Sequence, residues 1–526
     1  MSRFSQHRAR IAVVLLLTAI RVVAAEAPLV RVNNEQLQGQ WADESKAVAV
    51  FKGVPFAAPP TGALRWRAPQ PHQPREGIQP AQAFAPGCMQ DSHIIDWYAD
   101  VAMVFGSGAD ATARPNGVSE DCLYLNVWTP NLAGDAKLPV MIWFHGGSNK
   151  GGWSYEPNYI GANLAKKGVV VVTVTYRLGP FGFFAHPALT ATDDDQAVAN
   201  FGWLDQLAAL KWNHAHIAAF GGDPDNVTAM GESSGAGDLA NMLGTEIAAG
   251  VYQRAIAQSP AANLVERSSL NDERRNGARL AEELGIANDD DAIEKLRQVP
   301  AEQILAASEQ ILPGHYFEVV VDDVTFRQAP LETLRREKNI GIDLLIGTNK
   351  DEWYMYYDED TDWDDVDQWL EDNAPSAAEP LLVRVADETD PRRALDRLET
   401  AKNMLCPNRR AAARITAAGG RVWFYHFTRQ RRGAGGDKLG AYHGAEIPYV
   451  FDTHDAWLPT TSIDRRLTDA VMDYWVQFAR SGDPNLPGRS QWPQYRHDRP
   501  VVLELGDNIR VIPPVDAELC RWLGPE

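Results

Sequence analysis

The chain has 526 residues, with 70 acidic and 50 basic side chains, so its formal net charge is -20 at pH 7. An acidic surface repels phosphate groups, which argues against a nucleic-acid partner and against binding to anionic membranes. The hydrophobic fraction of 45% is ample for a large core, and the length fits one large α/β domain or several small ones.

The first 25 residues are typical of a signal peptide. Three arginines lie within the first ten positions, and the apolar run at 11–20 is too short to span a bilayer. Small residues at 23–25 form a cleavage site, so Glu26 is the expected mature N-terminus. Arg21 interrupts this pattern, and the alternative is an uncleaved N-terminal anchor. We therefore expect a secreted or periplasmic protein with no membrane segment after cleavage.

Four cysteines stand at Cys88, Cys122, Cys406 and Cys520. In an exported chain an even number of cysteines suggests disulfides, here two. The residues alone leave all three possible pairings open. Four buried thiols are the alternative if the chain is not exported.

Short apolar strands alternate with helical segments along the chain. Residues 169–176 are almost continuous in β-branched side chains, as is typical of a strand buried on both faces. This alternation predicts an α/β fold with a mostly parallel central sheet flanked by helices, and no linker divides residues 26–526 into separate domains. After the small N-terminal strands at 29–50, a further strand is predicted within residues 119–128. The later predicted strands cover residues 140–144, 169–176, 226–230, 255–258, 344–347, 422–427 and 501–503. Helical patterns cover residues 201–219 and 265–310.

An acidic run extends from Asp358 to Asp372. One interpretation is attraction of a cationic substrate, or a calcium site. The other is the solvated N-terminus of a helix, where acidic side chains interact favourably with the helix dipole. We expect the second.

Residues 231–235 read Gly-Glu-Ser-Ser-Gly, between a β-prone run and small residues that can open a helix. This G-x-S-x-G pattern between strand and helix predicts a nucleophile elbow with Ser233 at its tip. Side chains at Gly231 or Gly235 would crowd the tight turn. In a chain with 41 glycines the motif alone is modest evidence.

A serine hydroxyl is a weak nucleophile unless a base takes its proton. In an α/β-hydrolase the chain order is serine, then acid, then histidine. The candidate bases are therefore the late histidines, and among them His443 lies in a glycine-flanked loop where an imidazole can be exposed. Asp351 and Glu352 both follow the predicted strand at 344–347, and the residues alone do not choose between them. The remaining late histidines are His426, His454 and His497.

The glycine turn after the strand at 140–144 supplies free backbone N–H groups near a strand end. Gly147 and Ser148 are the predicted oxyanion donors, with the N–H of Ser234 as the third.

Taken together, these residues resemble the type-B carboxylesterase/lipase family of cholinesterase-like serine esterases. The resemblance covers nearly the whole mature chain, and its motifs occur in the family's order. They include FKGVPFAAPPTGALRW, EDCLYLNVWTP, VTYRLGPFGFF, FGGDPDNVTAMGESSG, NKDEW, HGAEIPYVF and ELCRWL.

The resemblance implies an α/β-hydrolase fold with Glu352 as the acid and His443 as the base. It also implies that Glu232 and Glu446 are carboxylates that support the catalytic network. For the cysteines it implies the pairs Cys88 with Cys122 and Cys406 with Cys520.

Four positions depart from the family pattern, among them Ala229, which replaces a usual larger aliphatic residue. Ser148 replaces a third glycine, and its Cβ would narrow the oxyanion hole, which argues against bulky tertiary-alcohol esters. Ser234 replaces a usual alanine, and Trp353 replaces a usual glycine. None of these changes removes a catalytic group.

We therefore predict an exported serine esterase that hydrolyses small-molecule carboxylic esters through a Ser233, His443 and Glu352 triad and an acyl-enzyme, without a metal or organic cofactor. Two alternatives are kept: a non-catalytic cholinesterase-like binding protein, and an acyl hydrolase that acts on thioesters or amides, because the same triad serves acyl transfer in general.

Overall fold

The computed structural model describes residues 27–108, 114–191, 197–243, 245–260, 268–336 and 341–523. The predicted signal peptide at 1–25 and its cleavage site lie outside the described residues. Within the described part of the chain, no helix is long and apolar enough to cross a membrane.

Sixteen strands are described, and eleven of them form one sheet in the order β16-β15-β14-β13-β12-β11-β9-β10-β8-β4-β3. The strands are β1 (Leu29–Val32), β2 (Glu35–Gln38), β3 (Gln40–Trp41), β4 (Ala49–Pro55), β5 (Ile78–Pro80), β6 (Gly87–Cys88), β7 (Val118–Ser119), β8 (Tyr124–Thr129), β9 (Leu138–Phe144), β10 (Val170–Val174), β11 (Gly222–Glu232), β12 (Arg254–Gln258), β13 (Asp343–Asn349), β14 (Arg421–Phe427), β15 (Val502–Leu505) and β16 (Ile509–Ile512).

The centre of the large sheet is parallel and its edges are antiparallel. Strands β10, β9, β11, β12, β13, β14 and β15 run in the same direction. At one edge, β16 pairs antiparallel with β15. At the other edge, antiparallel pairing adds β8 to β10, then β4 to β8, then β3 to β4. The prediction of a mostly parallel sheet is confirmed at its centre, and the antiparallel edges are an addition that strand patterns did not reveal.

Seventeen α-helices pack on both faces of the sheet and around its ends in the described residues. They are α1 (His93–Val104), α2 (Ala162–Ala165), α3 (Gly179–Gly182), α4 (Phe201–His216), α5 (Ser233–Met242), α6 (Leu270–Glu283), α7 (Ala292–Arg297), α8 (Ala301–Ile311), α9 (Pro330–Arg336), α10 (Trp363–Asn373), α11 (Ala378–Val385), α12 (Pro391–Thr400), α13 (Cys406–Ala417), α14 (Ala434–Leu439), α15 (Ile447–Phe451), α16 (Ser462–Ser481) and α17 (Ala517–Trp522).

Strand β9 shows why the central strands are apolar throughout. Successive side chains of a strand point to opposite faces of a sheet. Ile142 and Phe144 therefore pack into the core on one face, while Met141 and Trp143 pack into the core on the other. All four side chains are fully buried. The nearly continuous apolar runs of the sequence follow from these two cores.

The acidic run Asp358–Asp372 contains the expected helix N-terminus and extends through all but the last residue of α10. The side chain of Asp362 caps α10 by accepting from the backbone N–H groups of Asp364 and Asp365. The Asp365 side chain accepts in return from the Asp362 N–H, which completes a capping box. Among the described residues, no group of three histidine, cysteine or carboxylate side chains is placed to hold a metal ion.

Two disulfides are present, and they join the pairs that the family resemblance implies. Cys88 and Cys122 lie with their Cα atoms 5.0 Å apart, and Cys406 and Cys520 with theirs 5.3 Å apart. The first pair closes a loop with a sequence separation of 34 and the second one of 114. In the loop-closure account, the first disulfide stabilises the fold by at most roughly 4 kcal/mol and the second by at most about 5 kcal/mol.

We expect both disulfides, and no free thiol, in the purified mature protein. Peptide mapping without reductant should recover Cys88 linked to Cys122 and Cys406 linked to Cys520. Alkylation before reduction should label no cysteine. A labelled thiol or a different pairing would contradict this expectation, and would also weaken the case for export.

Candidate active site

Ser233 stands at the sharp turn between β11 and α5. Its backbone is left-handed, with φ of +54°, whereas Glu232 before it is extended. A non-glycine residue rarely adopts this conformation, so the turn holds Ser233 under strain.

The flanking glycines permit that turn because neighbouring backbone passes very close to them. A Cβ at Gly235 would lie 2.4 Å from the carbonyl oxygens of Phe144 and His145. A Cβ at Gly231 would lie 2.9 Å from the Phe144 oxygen. Any side chain at either position would therefore push the nucleophile turn away from strand β9, as the sequence analysis expected.

His443 lies in the loop between α14 and α15, beside the serine. Its Nε2 is 2.8 Å from Ser233 Oγ, and its Nδ1 is 2.6 Å from Glu352 Oε2. The carboxylate can only accept from Nδ1–H, so Nε2 is left to accept from the serine hydroxyl. Three residues far apart in the sequence thus form one continuous hydrogen-bonded chain.

The orientation of Glu352 is fixed by two further donors. Its Oε1 accepts from Ser259 Oγ at 2.6 Å and from the Asn349 backbone N–H at 2.7 Å. Sequence reasoning missed Ser259. A signal was available, because Ser259 directly follows β12, which is adjacent to β13 in the parallel sheet.

Asn349 connects the acid to the histidine loop, and sequence reasoning missed it as well. Its side-chain amide donates to the Tyr442 carbonyl at 2.8 Å and to Glu446 Oε2 at 2.6 Å. The same residue donates its backbone N–H to Glu352. One buried asparagine thereby links the strand β13, the acid and the loop that carries His443.

Asp351, the other candidate acid, faces away from the imidazole. Its Oδ2 accepts from the Ala441 backbone N–H at 2.7 Å, and its Oδ1 is 3.0 Å from Arg393 Nη1. Its own N–H donates to the Ala441 carbonyl at 3.2 Å. Asp351 therefore anchors the segment that leads into His443, while Glu352 contacts the imidazole itself.

The other late histidines are engaged elsewhere. His426 is buried in β14, and burial lowers its pKa. His454 contacts Arg431 and Thr468, and burial together with the arginine charge lowers its pKa to about 3. His497 is exposed and lines a different cavity.

Two of the three predicted oxyanion donors, Gly147 and Ser148, line the same cavity as Ser233. Gly147 and Ser148 form a turn after β9 with φ of +101° and +57°. Within the described residues, neither of their N–H groups has a protein acceptor. Ser234 is the second residue of α5, so its N–H lies in the first turn, where helical N–H groups lack intrahelical partners. Its Oγ accepts from the Asn149 N–H at 3.1 Å, which ties the two halves of the predicted hole together.

The two carboxylates predicted to support the network differ in their distance from the imidazole. Glu232 Oε1 is 3.3 Å from His443 Nε2. Glu446 instead accepts from Gln258 Nε2 at 3.0 Å and from the Asn349 amide. Burial raises the pKa of both carboxyl groups. Glu232 therefore contacts the imidazole directly, whereas Glu446 contacts two residues near it.

The pKa of His443 results from opposing effects. Burial lowers it, because a buried imidazolium loses hydration. The charges of Glu232 and Glu352 raise it, and together with the Glu352 hydrogen bond they outweigh burial. The pKa of His443 therefore lies above its ordinary value of about 6.5.

A cavity of about 530 Å³ opens onto Ser233, His443, Gly147 and Ser148. Its volume is within the range of small-molecule sites. Trp97 Nε1 donates to Tyr356 Oη at 3.1 Å across its wall. The aromatic and aliphatic lining residues are Ile94, Trp97, Tyr98, Tyr159, Tyr356 and Ile447. Polar and charged residues also line it, namely His93, Asp96, Asp100, Glu156 and Asn158. The aromatic part of the lining suits an organic substrate.

Known proteins match this chain over most of its length. The family model described as "Carboxylesterase family" matches residues 26–521. The para-nitrobenzyl esterase of Bacillus subtilis (strain 168) is 33% identical over 493 residues, which are 90% of this chain and 94% of that protein. The fumonisin B1 esterase of Sphingopyxis macrogoltabida is 32% identical over 492 residues, which are 88% of this chain and 84% of that protein. The medium-chain fatty acyl-CoA hydrolase precursor of Anas platyrhynchos is 31% identical over 508 residues, with coverages of 90% and 88%.

Solved structures agree with the sequence relatives. A thermophilic PNB esterase superposes with a TM-score of 0.80 at 30% sequence identity. The superposition covers 95% of this chain and 100% of that esterase chain. A carboxylesterase of Geobacillus stearothermophilus superposes with a TM-score of 0.79 at 30% identity, with coverages of 94% and 100%. The chain belongs to the carboxylesterase family, has the α/β-hydrolase fold, and is a carboxylic-ester hydrolase.

Proposed function

We propose that this carboxylesterase is an exported serine hydrolase in which Ser233, His443 and Glu352 act as a catalytic triad on small-molecule esters. The observation that carries the proposal is the continuous chain from Ser233 Oγ to His443 at 2.8 Å and from His443 to Glu352 at 2.6 Å, at the base of an open cavity.

The first half of the reaction forms an acyl-enzyme. Ser233 Oγ attacks the ester carbonyl carbon while its proton moves to His443 Nε2. The carbonyl oxygen becomes an oxyanion, which the N–H groups of Gly147, Ser148 and Ser234 stabilise. The tetrahedral intermediate then collapses, the bond to the alcohol oxygen breaks, and His443 donates its proton to the departing alcohol.

The second half returns the enzyme to its starting state. A water molecule gives a proton to His443 Nε2 and attacks the acyl carbon. The second tetrahedral intermediate releases the carboxylic acid, and the proton returns to Ser233 Oγ. Glu352 keeps Nδ1–H in place throughout and stabilises the imidazolium that forms in each half.

A thioester substrate is the second candidate. The fatty acyl-CoA hydrolase precursor of Anas platyrhynchos is 31% identical to this chain over 508 residues. The same acyl transfer applies when the leaving atom is sulfur. A substrate panel of matched esters, thioesters and amides with one acyl group separates these activities by kcat/KM. A purely binding role would require no turnover on any of them.

Export is supported by the signal-peptide pattern at 1–25 and by the two disulfides. Disulfides persist in oxidising compartments, which include the bacterial periplasm and the extracellular space.

We expect Ser233→Ala to lower kcat on a para-nitrophenyl ester at least about a thousandfold, because only the binding and oxyanion contributions remain. A fluorophosphonate should label wild type at Ser233 and leave this variant unlabelled. Ser234→Ala is the matched control, because it keeps the backbone N–H and should still be labelled. Near-wild-type turnover of a purified, folded Ser233→Ala protein would remove Ser233 from the mechanism.

We expect Glu352→Gln to lower kcat by a factor on the order of 10³–10⁴, since an amide does not hold the required imidazole tautomer. Asp351→Asn should lower kcat far less, and should instead reduce the free energy of unfolding by about 1–3 kcal/mol through its contacts with Ala441 and Arg393. Steady-state kinetics and urea unfolding of both variants test this difference. A larger kcat loss in Asp351→Asn would reassign the triad acid.

We expect kcat/KM on a non-ionising ester to fall as the pH is lowered through an inflection above about 6.5, because only neutral His443 accepts the serine proton. Since negative neighbours raise the His443 pKa, Glu232→Gln should move the inflection to lower pH, by on the order of one unit. Glu446→Gln should move it less, because that carboxylate is engaged by Gln258 and Asn349. An unmoved inflection in Glu232→Gln would show that Glu232 does not set the charge of His443.

A further inference from the structure

A second large cavity lies at the opposite end of the sheet from Ser233. It has a volume of about 870 Å³ and is bounded by helix α13, the start of β14, the loop at 494–500 and the disulfide between Cys406 and Cys520. Arg421 begins β14, whereas the proposed active site lies at the carboxyl ends of the parallel strands. The seven residues of β14 span about 20 Å, and none of the residues that line this cavity lines the one at Ser233.

The lining of this cavity is strongly basic. It includes five arginines, at Arg409, Arg410, Arg414, Arg421 and Arg496, and a single carboxylate, Asp498. Two of these arginines are neutralised locally. Arg496 pairs with Asp498 at 2.9 Å, and Arg421 pairs with Asp343 at 2.7 Å.

The other three arginines, all on α13, have no carboxylate partner in the described part of the chain. Arg409, Arg410 and Arg414 are each only partly exposed. The Nε and Nη1 atoms of Arg409 are buried without a hydrogen-bond acceptor among the described residues. Burial lowers the pKa of Arg410. Arg410 and Arg414 are four residues apart on one helix face, where like charges destabilise the helix.

Two buried arginines elsewhere in the chain do have carboxylate partners. Arg177 pairs with Asp205 at 2.7 Å, and Arg429 pairs with Asp464 at 2.7 Å. Acids outnumber bases by 70 to 50, so partners for three more arginines are abundant in the sequence. Desolvated guanidinium groups without a counter-charge cost stability. A bound anion would offset that cost.

We propose that the cavity beside α13 is a binding site for a small multivalent oxyanion, held by Arg409, Arg410 and Arg414. A guanidinium matches carboxylate and phosphate oxygens through paired N–H donors. Three such groups in one cavity favour a ligand with two or more negative charges, carried by phosphate or by carboxylate groups. The site is distinct from the proposed catalytic site, so its occupancy does not require ester hydrolysis.

The proposal is tested by isothermal titration calorimetry of the full mature chain with sodium pyrophosphate and, separately, with sodium citrate. Sodium chloride at matched ionic strength is the control for general screening. Binding of either anion at one site supports the proposal, and the anion that binds more tightly tells phosphate from carboxylate recognition. Absence of binding by both anions above the chloride control would overturn it.

Variants locate the site. Arg409→Gln and Arg414→Gln should each weaken the binding at least tenfold. Arg275→Gln is the matched control, because it also removes one positive charge but from an exposed arginine paired with Asp272 on another helix. Equal affinity in wild type and both α13 variants would overturn the proposal.

A chemical measurement on unaltered protein covers the case in which a variant misfolds. Phenylglyoxal modifies accessible guanidinium groups, and mass mapping identifies the modified arginines. Bound pyrophosphate or citrate should protect Arg409, Arg410 and Arg414 and leave Arg275 as reactive as before. Unchanged modification of the three arginines at saturating anion would count against the site.

Discussion

The hydrogen bond between His443 Nδ1 and Glu352 is the contact around which the carboxylesterase site is built. An ionised carboxylate that is almost fully buried is costly unless its oxygens are satisfied. Ser259, the Asn349 backbone and the imidazole satisfy it together. Because each of these donors comes from a different strand end or loop, the acid also sets the relative positions of the elements that carry them.

The parallel centre of the sheet makes that convergence possible. The carboxyl ends of β9, β11, β12 and β13 lie side by side. The proposed oxyanion turn, Ser233, Ser259 and Glu352 therefore reach one edge of the sheet without long connections. His443 arrives from β14 through α14, and the contacts of Asp351 and Asn349 hold its loop against β13. The strained turn at Ser233 is closely packed, because the glycines at 231 and 235 let the backbone at the end of β9 approach it.

Charge is distributed unevenly between the two ends of this sheet. Buried carboxyl groups lie around the imidazole at the carboxyl ends, where their charges raise its pKa and favour the imidazolium that the proposed mechanism forms. Unpaired guanidinium groups gather beside α13 at the other end. Both clusters place like charges close together where they are partly removed from water. Such repulsion is offset when a group of opposite charge, either transient or bound, lies beside the cluster.

The sequence by itself determined the strand and helix alternation, the elbow at Ser233 and, through the ordered family motifs, the fold and the esterase class. These signals lie in short segments or in the order of motifs along the chain. Apolar periodicity indicates burial, and a glycine-flanked serine between strand and helix indicates a tight turn. What only the tertiary structure decided is which side chains meet. Asp351 and Glu352 are adjacent and chemically alike in the sequence, and they separate only because one faces the Ala441 backbone and the other the imidazole. The roles of Asn349 and Ser259, and the unpaired arginines of α13, depend on neighbours distant in the chain, so no local pattern encodes them.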